Sequence, residues 1–380
     1  MRKIINKIDK PLLIVSIVCI IFGLLMVGSA SSLKSYMKYG ENYFYLKRQL
    51  LFVGAGLFAA YIVIKVPFKK YKKFIMFAVI GVTLALLYVL MNGKINNGIK
   101  GWMNIGSFGI QPSEFAKTVL ILFLAFAFEK LMKIKNIGNV RKIFPFIVPI
   151  IFIGLVFAQP DFGTMMVLAG ITAVIFFIVP YDSKTKLIYI TFTLLMLVTL
   201  SSIMLISGKG LTEKQKQRFN YKNPCSRYRQ ETGYQVCNGF IAINSGGLVG
   251  NGYGNSKQKY LYLPEAHTDF IFAIIIEETG LVGGTLMLLA YFIIIWRIIM
   301  IGRKSYNLQG AIICFGVATY ISLHIVINLG GVLGVIPLTG VPLPFYTYGG
   351  SFMINLLICI GLVQRVCIEN KIFEQKHLVK

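Results

Sequence analysis

LYLPEAHTDFIFAIIIEETG, residues 261–280, changes character at its middle. Pro264, Glu265, His267, Thr268 and Asp269 make a polar, loop-like run. From Phe270 to Ile276 the chain is wholly apolar and reads as a helix entering a membrane. Asp269 stands at the junction, with Glu277 and Glu278 two turns further in. A carboxylate at a membrane boundary is costly to keep and marks a functional site by default. The structural alternative is that Thr268 or Asp269 caps the helix N-terminus.

The rest of the chain bears out the membrane setting. Its 380 residues are 56% hydrophobic and 14% charged, whereas a soluble domain carries about 25% charged residues. The net charge of +25 does not point to nucleic acid, because the basic residues punctuate the apolar runs and do not gather on one soluble domain. Ten spans are expected, at about 11–30, 49–67, 74–91, 113–132, 144–158, 162–180, 187–207, 270–297, 309–330 and 351–367. The N-terminus resembles a signal peptide, but its apolar run is long and many spans follow, so it reads as an uncleaved first span. The expected fold class is an all-α polytopic membrane protein, a single membrane domain over residues 1–380.

Orientation follows from the lysines and arginines. Lys3, Lys7, Lys10, the cluster at 65–73, the cluster at 130–142, Arg297, Arg303 and the C-terminal residues all fall on one set of termini and loops. That set is cytoplasmic by the positive-inside bias, which puts both termini inside. The loop at 92–112, the QPDFGT turn, the long segment 208–268 between spans seven and eight, and the loop 331–350 then share the outer side.

Those outer loops hold the polar residues. Ser113 is placed to cap span four, and Glu114 and Lys117 stand i, i+3 on one helix face, as a structural ion pair or as part of a site. Trp102 reads as an interfacial anchor or a stacking residue. Asp161 reads as a cap for span six or a ligand for substrate or cation. Within 208–268 lie Arg218, Lys257, Lys259 and the glycine-rich SGGLVGNGYGNSKQKY. Glycine nests beside lysines suit phosphate. Residues 233–243 read as a short amphipathic helix at the membrane surface. Cys225 and Cys237 form a loop-closing disulfide or stay as two thiols. The mid-span His324 reads as packing or as a proton relay.

Several of these pieces belong to one pattern. GWMNIGSFGIQPSEFAK at 101–117, QPDFGT at 159–164, QRF at 217–219, GYQ at 233–235, AINSGGLVGNGYGNSKQKYLYLPEAHTDFIFA at 242–273, EETG at 277–280 and PLTGVPLPFYTYGGS at 337–351 resemble the SEDS family of polytopic glycosyltransferases, the RodA and FtsW proteins. They occur in the family's order along most of the chain. Two departures are Gly101 before Trp102, where the family often has arginine, and Phe352 in place of a second serine.

The resemblance implies a ten-span peptidoglycan glycosyltransferase. It would polymerise lipid II into glycan strands outside the cytoplasmic membrane, paired with a class B penicillin-binding transpeptidase. The family's essential aspartate falls on Asp269, and its polar pair in span four on Glu114 and Lys117. Ser245, Gln258, Lys259 and His267 lie inside the long central motif and join Lys100, Trp102, Asp161 and Arg218 as the expected substrate-binding set.

The chemistry agrees with the residue types. A polyprenyl pyrophosphate departs without a protonating acid, so one base for the acceptor hydroxyl is enough, with positive charge around the phosphates. Lys100, Lys117, Arg218, Lys257 and Lys259 are the expected cations, and a divalent cation (Mg or Mn) could share that task. A flippase for the lipid-linked precursor is the rival reading, and a scaffold for a cell-wall complex the third.

Overall fold

The computed structural model describes residues 6–96, 99–106, 108–134, 139–181, 184, 186–187, 191, 222–227, 231–260 and 262–378. The expected seventh span and Arg218 lie outside the described residues, apart from positions 187 and 191 of the span.

The helices begin and stop where local chemistry directs. Helix α1, Lys10–Tyr39, starts at Asp9, whose carboxylate accepts from Leu12 N at 3.0 Å, and ends on Gly40 in the left-handed region. Helix α2, Phe44–Lys65, stops before Pro67, and α3, Phe68–Asn92, stops at Gly93. Helix α4 is Pro112–Leu131, α5 is Ile147–Ala158 after a short helical lead-in, and α6 is Phe162–Ile178. Helix α7, Glu231–Gly246, precedes three long elements: α8, Ile271–Arg303; α9, Leu308–Val332; and α10, Gly350–Leu378.

Among the described residues seven helical runs are long and apolar enough to cross a membrane: α1, α2, α3, Arg141–Ala158, α8, α9 and α10. Helix α4 matches expected span four but carries Glu114, Lys117, Glu129 and Lys130, and α6 matches span six with 17 residues. One expected loop and the C-terminal tail shrink. The stretch 31–48 is mostly the ends of α1 and α2, and α10 runs well past 367. Small residues set the packing distances. A Cβ on Gly56 would meet Leu357 at 2.7 Å, and one on Gly361 would meet the Ala60 backbone at 3.1 Å, so α2 and α10 are in backbone contact.

Two segments depart from the all-α expectation. Between α3 and α4, β1 (Lys94–Asn96), β2 (Ile99–Ile105) and β3 (Phe108–Ile110) form an antiparallel sheet, pairing Lys94 with Trp102 and Asn104 with Gly109. The loop between α9 and α10 does not lie over the bundle but dips into it. Val341, Leu343, Phe345, Tyr346 and Thr347 are buried, and a Cβ on Gly23, near the middle of α1, would stand 2.1 Å from Phe345 O. Non-helical backbone at such depth is tolerated only when its polar groups are satisfied by protein. Here Asn328 donates to Val341 O at 2.8 Å, His324 Nδ1 lies 3.0 Å from Pro342 O, and the Tyr291 hydroxyl donates to Pro344 O.

Candidate active site

Asp269 stands two residues before the first residue of α8, just outside its N-cap. The N-cap is Phe270, whose side chain makes no capping bond, and the Thr268 hydroxyl donates to Glu265. The expectation that Thr268 or Asp269 occupies the cap position is corrected: the cap falls on Phe270, one residue past Asp269 and two past Thr268. What fixes the segment is its backbone. Tyr348 N donates to His267 O at 3.0 Å, the Thr347 hydroxyl donates to Thr268 O at 3.3 Å, and Asn328 Nδ2 donates to Asp269 O at 2.9 Å. Three successive carbonyls are thus held by the re-entrant loop and α9. The carboxylate lies against the same loop: Asp269 Oδ2 is 3.1 Å from where a Cβ on Gly340 would stand. Gly340 has φ +74, so glycine serves both the turn and the close approach.

The helix N-termini of α4 and α6 meet this loop. Asp161 caps α6, accepting from Thr164 N at 3.0 Å, and takes a second bond from the Gln111 amide at 3.2 Å. Gln111 is the N-cap of α4, so Ser113 lies inside the first turn and does not cap it; among the described residues its buried hydroxyl has no partner. A Cβ on Gly163 would touch Val341 and Thr339, which brings α6 within van der Waals reach of the turn beside Asp269. Among the described residues the buried Thr339 hydroxyl and Asn328 Oδ1 have no partner.

Beneath this end, Glu114 and Lys117 are paired at 2.8 Å and buried. Lys117 Nζ also lies 3.0 Å from His324 Nε2. The other imidazole nitrogen faces Pro342 O, which can only accept, so Nδ1 carries the proton and Nε2 accepts from the ammonium. The chain Glu114–Lys117–His324–Pro342 is therefore a charge-balanced support for the re-entrant loop. Lys117 is paired on both sides within it.

The glycine-rich segment has a different task from the one expected. Helix α8 breaks at Gly280, with φ 68 and ψ −173. The break exposes backbone groups on both sides, and the loop 247–252 takes them up. Asn251 N and Gly252 N donate to Glu277 O and Glu278 O at 2.9 and 3.0 Å, while Leu281 N and Val282 N donate to Gly247 O and Leu248 O at 3.0 and 3.1 Å. Gly250 packs so closely that a Cβ would stand 2.3 Å from Glu278 O.

The amide nest that follows is already occupied. The Glu277 carboxylate accepts from Lys257 N at 2.9 Å, from Gln258 N, and from the hydroxyls of Ser256 and Ser245. Lys259 gives its ammonium to Glu278 at 2.9 Å, Ser29 at 2.9 Å and Gly254 O at 2.6 Å. Ser245, Lys259 and the amides of 256–258 thus act as internal fasteners. Gln258 keeps a buried Oε1 without a protein partner.

Other expected residues sit apart from this network. Lys100 donates to Met91 O at 2.8 Å, satisfying the end of α3, and the Trp102 ring covers Gly109 within the small sheet. Cys225 and Cys237 are joined as a disulfide that ties α7 to the turn 224–227. His267 is buried between Tyr45 and Tyr348, at ring distances of 4.9 and 5.8 Å. Burial, and then the nearby Lys34 and Lys38 ammoniums, hold its imidazole down to about 3.

With this geometry in hand, kinship is informative. The model of the FtsW/RodA/SpoVE cell cycle protein family matches residues 9–372. The chain belongs to this SEDS family. Stage V sporulation protein E of Bacillus subtilis is 36% identical over 94% of this chain and 96% of its own length. The probable peptidoglycan glycosyltransferase FtsW of the same organism is 33% identical, covering 99% and 94%. Among solved structures, RodA of Thermus thermophilus superposes with a TM-score of 0.67 at 25% identity, covering 95% of this chain and 96% of that one. A chain of a peptidoglycan synthase complex superposes with a TM-score of 0.75 at 24% identity, covering 96% and 98%, which speaks to the fold.

Within this SEDS chain, residue-by-residue reading missed Asn328, Thr347 and Gln111. Thr347 and Gln111 do lie in quoted motifs, so their signal was the motif itself. Asn328 lies in an apolar span, where its amide was the signal: an intramembrane polar side chain needs a partner.

Proposed function

We propose that this chain is a peptidoglycan glycosyltransferase that polymerises lipid II into glycan strands at the outer face of the cytoplasmic membrane, with Asp269 as general base. The observation that carries the base assignment is the placement of Asp269: its backbone is held at the mouth of the bundle and its carboxylate is laid against Gly340. The base would take the proton of the acceptor sugar hydroxyl as that oxygen attacks the donor's anomeric carbon. The bond to the polyprenyl pyrophosphate breaks, and the leaving group keeps the electron pair.

Positive charge for the phosphates comes in this reading from the exposed Lys257 and from Lys34, Lys38 and Arg48 at the same end. Among the described residues no group of three or more His, Cys, Asp or Glu could hold a metal ion. A divalent cation (Mg or Mn) could share the phosphate charge with these lysines and Arg48.

The reading includes ten spans with both termini inside, the segment 208–268 and Asp269 outside, and a class B penicillin-binding transpeptidase as partner. The basic residues flanking the spans and a disulfide on the outer side support that orientation. Among the described residues buried Glu114 pairs with Lys117 and buried Lys259 with Glu278, which favours surface chemistry over precursor flipping. The test is lipid II polymerisation by the purified protein with its partner. Asp269→Asn should bind lipid II, keep its thermal midpoint and lose polymerisation; full activity in this variant would end the base assignment.

A further inference from the structure

Asn328 of α9 makes a contact that neither the motifs nor the reaction chemistry requires. Its Nδ2 donates both hydrogens, one to Asp269 O at 2.9 Å and one to Val341 O at 2.8 Å. Both partners are carbonyls, so the amide has one workable orientation. The two carbonyls belong to segments far apart in sequence: the entry to α8 and the re-entrant loop. These are the segments that carry Asp269 and Gly340, and Asp269 Oδ2 lies 3.1 Å from where a Cβ on Gly340 would stand. Thr347 works beside it. Its hydroxyl accepts from Leu343 N at 2.7 Å and donates to Thr268 O at 3.3 Å, again joining the loop to the segment.

We propose that Asn328 and Thr347 are positioning residues that staple the Asp269 segment to the re-entrant loop and so fix the base against the acceptor hydroxyl. The proposal rests on the reading of Asp269 as base. A displacement of about 1 Å in a reacting group is enough to cost about a hundredfold in rate. The staple acts on backbone carbonyls alone, so its loss moves the carboxylate without changing the charge of any group at the site.

The experiment compares Asn328→Leu, Thr347→Val, Thr347→Ser and Asp269→Asn in the full-length protein with its transpeptidase partner, scoring kcat and KM for lipid II polymerisation and the thermal midpoint. Asn328→Leu and Thr347→Val keep side-chain size and lose the donor. Both should lower kcat about ten- to a hundredfold while KM moves less than about threefold. Thr347→Ser keeps the hydroxyl and should restore most of kcat. Wild-type kcat in Thr347→Val and Asn328→Leu, with Asp269→Asn inactive, would overturn the staple alone. An active Asp269→Asn would overturn the base reading and the staple with it. If Asn328→Leu does not fold, the pair at Thr347 still decides: equal kcat in the Val and Ser variants means that the hydroxyl does not position the base.

Discussion

His267 is buried as a neutral ring, and this sets a pH dependence. In the unfolded chain histidine titrates near 6.5, whereas burial and two lysines hold it to about 3 in the fold. Between those values the unfolded state binds the extra proton, so stability is full above pH 6.5 and falls as pH drops toward 3. The slope is about 1.4 kcal/mol per pH unit. His267→Phe fits the same ring cage without a titrating group. Its thermal midpoint in detergent should exceed wild type at pH 5 and converge with it at pH 8; parallel midpoints at both pH values would contradict this. Lys117 tests the second buried charge. Lys117→Met alone leaves Glu114 buried and uncompensated, at a cost of about 3–5 kcal/mol. Adding Glu114→Gln should recover most of it, as read from thermal midpoints. The sequence spacing showed Glu114 and Lys117 as a pair. It did not show His324 as their third member, because nothing in a helical repeat says which residue of α9 will face α4.

Element by element, the spans were legible because each had to supply its own run of apolar residues. The irregular segments were legible as residue types but not as tasks. The glycines of 246–254 announced close backbone approach, and the approach is real, but the partner is the broken helix α8 rather than a phosphate. That distinction depends on Gly280, which lies inside expected span eight directly after Glu277, Glu278 and Thr279, where helical periodicity gives no sign of a break. Gly280 occupies a backbone region open essentially to glycine alone, and an added Cβ would meet Leu248 O at 2.3 Å. Gly280→Ala should therefore lower stability by more than the about 1–3 kcal/mol of backbone strain. Gly81→Ala, in a helical stretch with nothing within 4 Å of the new methyl, should be neutral or raise the midpoint. Equal effects from the two substitutions would rule out the docked-loop account. The three strands between α3 and α4 read in the sequence only as a loop. The glycine and asparagine residues at 96–98 and the Gly106–Ser107 pair are hairpin turn signals, yet strands this short offer little alternation to support them.

At the scale of the whole molecule, the two ends of the bundle are chemically different. One end gathers Asp9, clamped by Arg297 and Gln364, and the lysines from 65 to 73 beside Glu369. The opposite end gathers Asp269, Asp161 and the re-entrant loop, with the glycine-rich loop and the disulfide packed along α7 and α8. The fold places these groups apart; the side of the membrane each faces follows from the charge bias and needs its own measurement. Single cysteines introduced at Lys70 and at Lys257 separate the two ends, and both positions are exposed. The background is low, because Cys19, Cys314, Cys359 and Cys367 are buried and Cys225 and Cys237 are joined. In intact cells a membrane-impermeant maleimide should label Lys257→Cys and leave Lys70→Cys untouched until the membrane is opened. Labelling of Lys70→Cys in intact cells would reverse the orientation. It would also put Asp269 on the cytoplasmic side, where a base for extracellular polymerisation has no substrate, so this one measurement bears on the topology and the chemistry together.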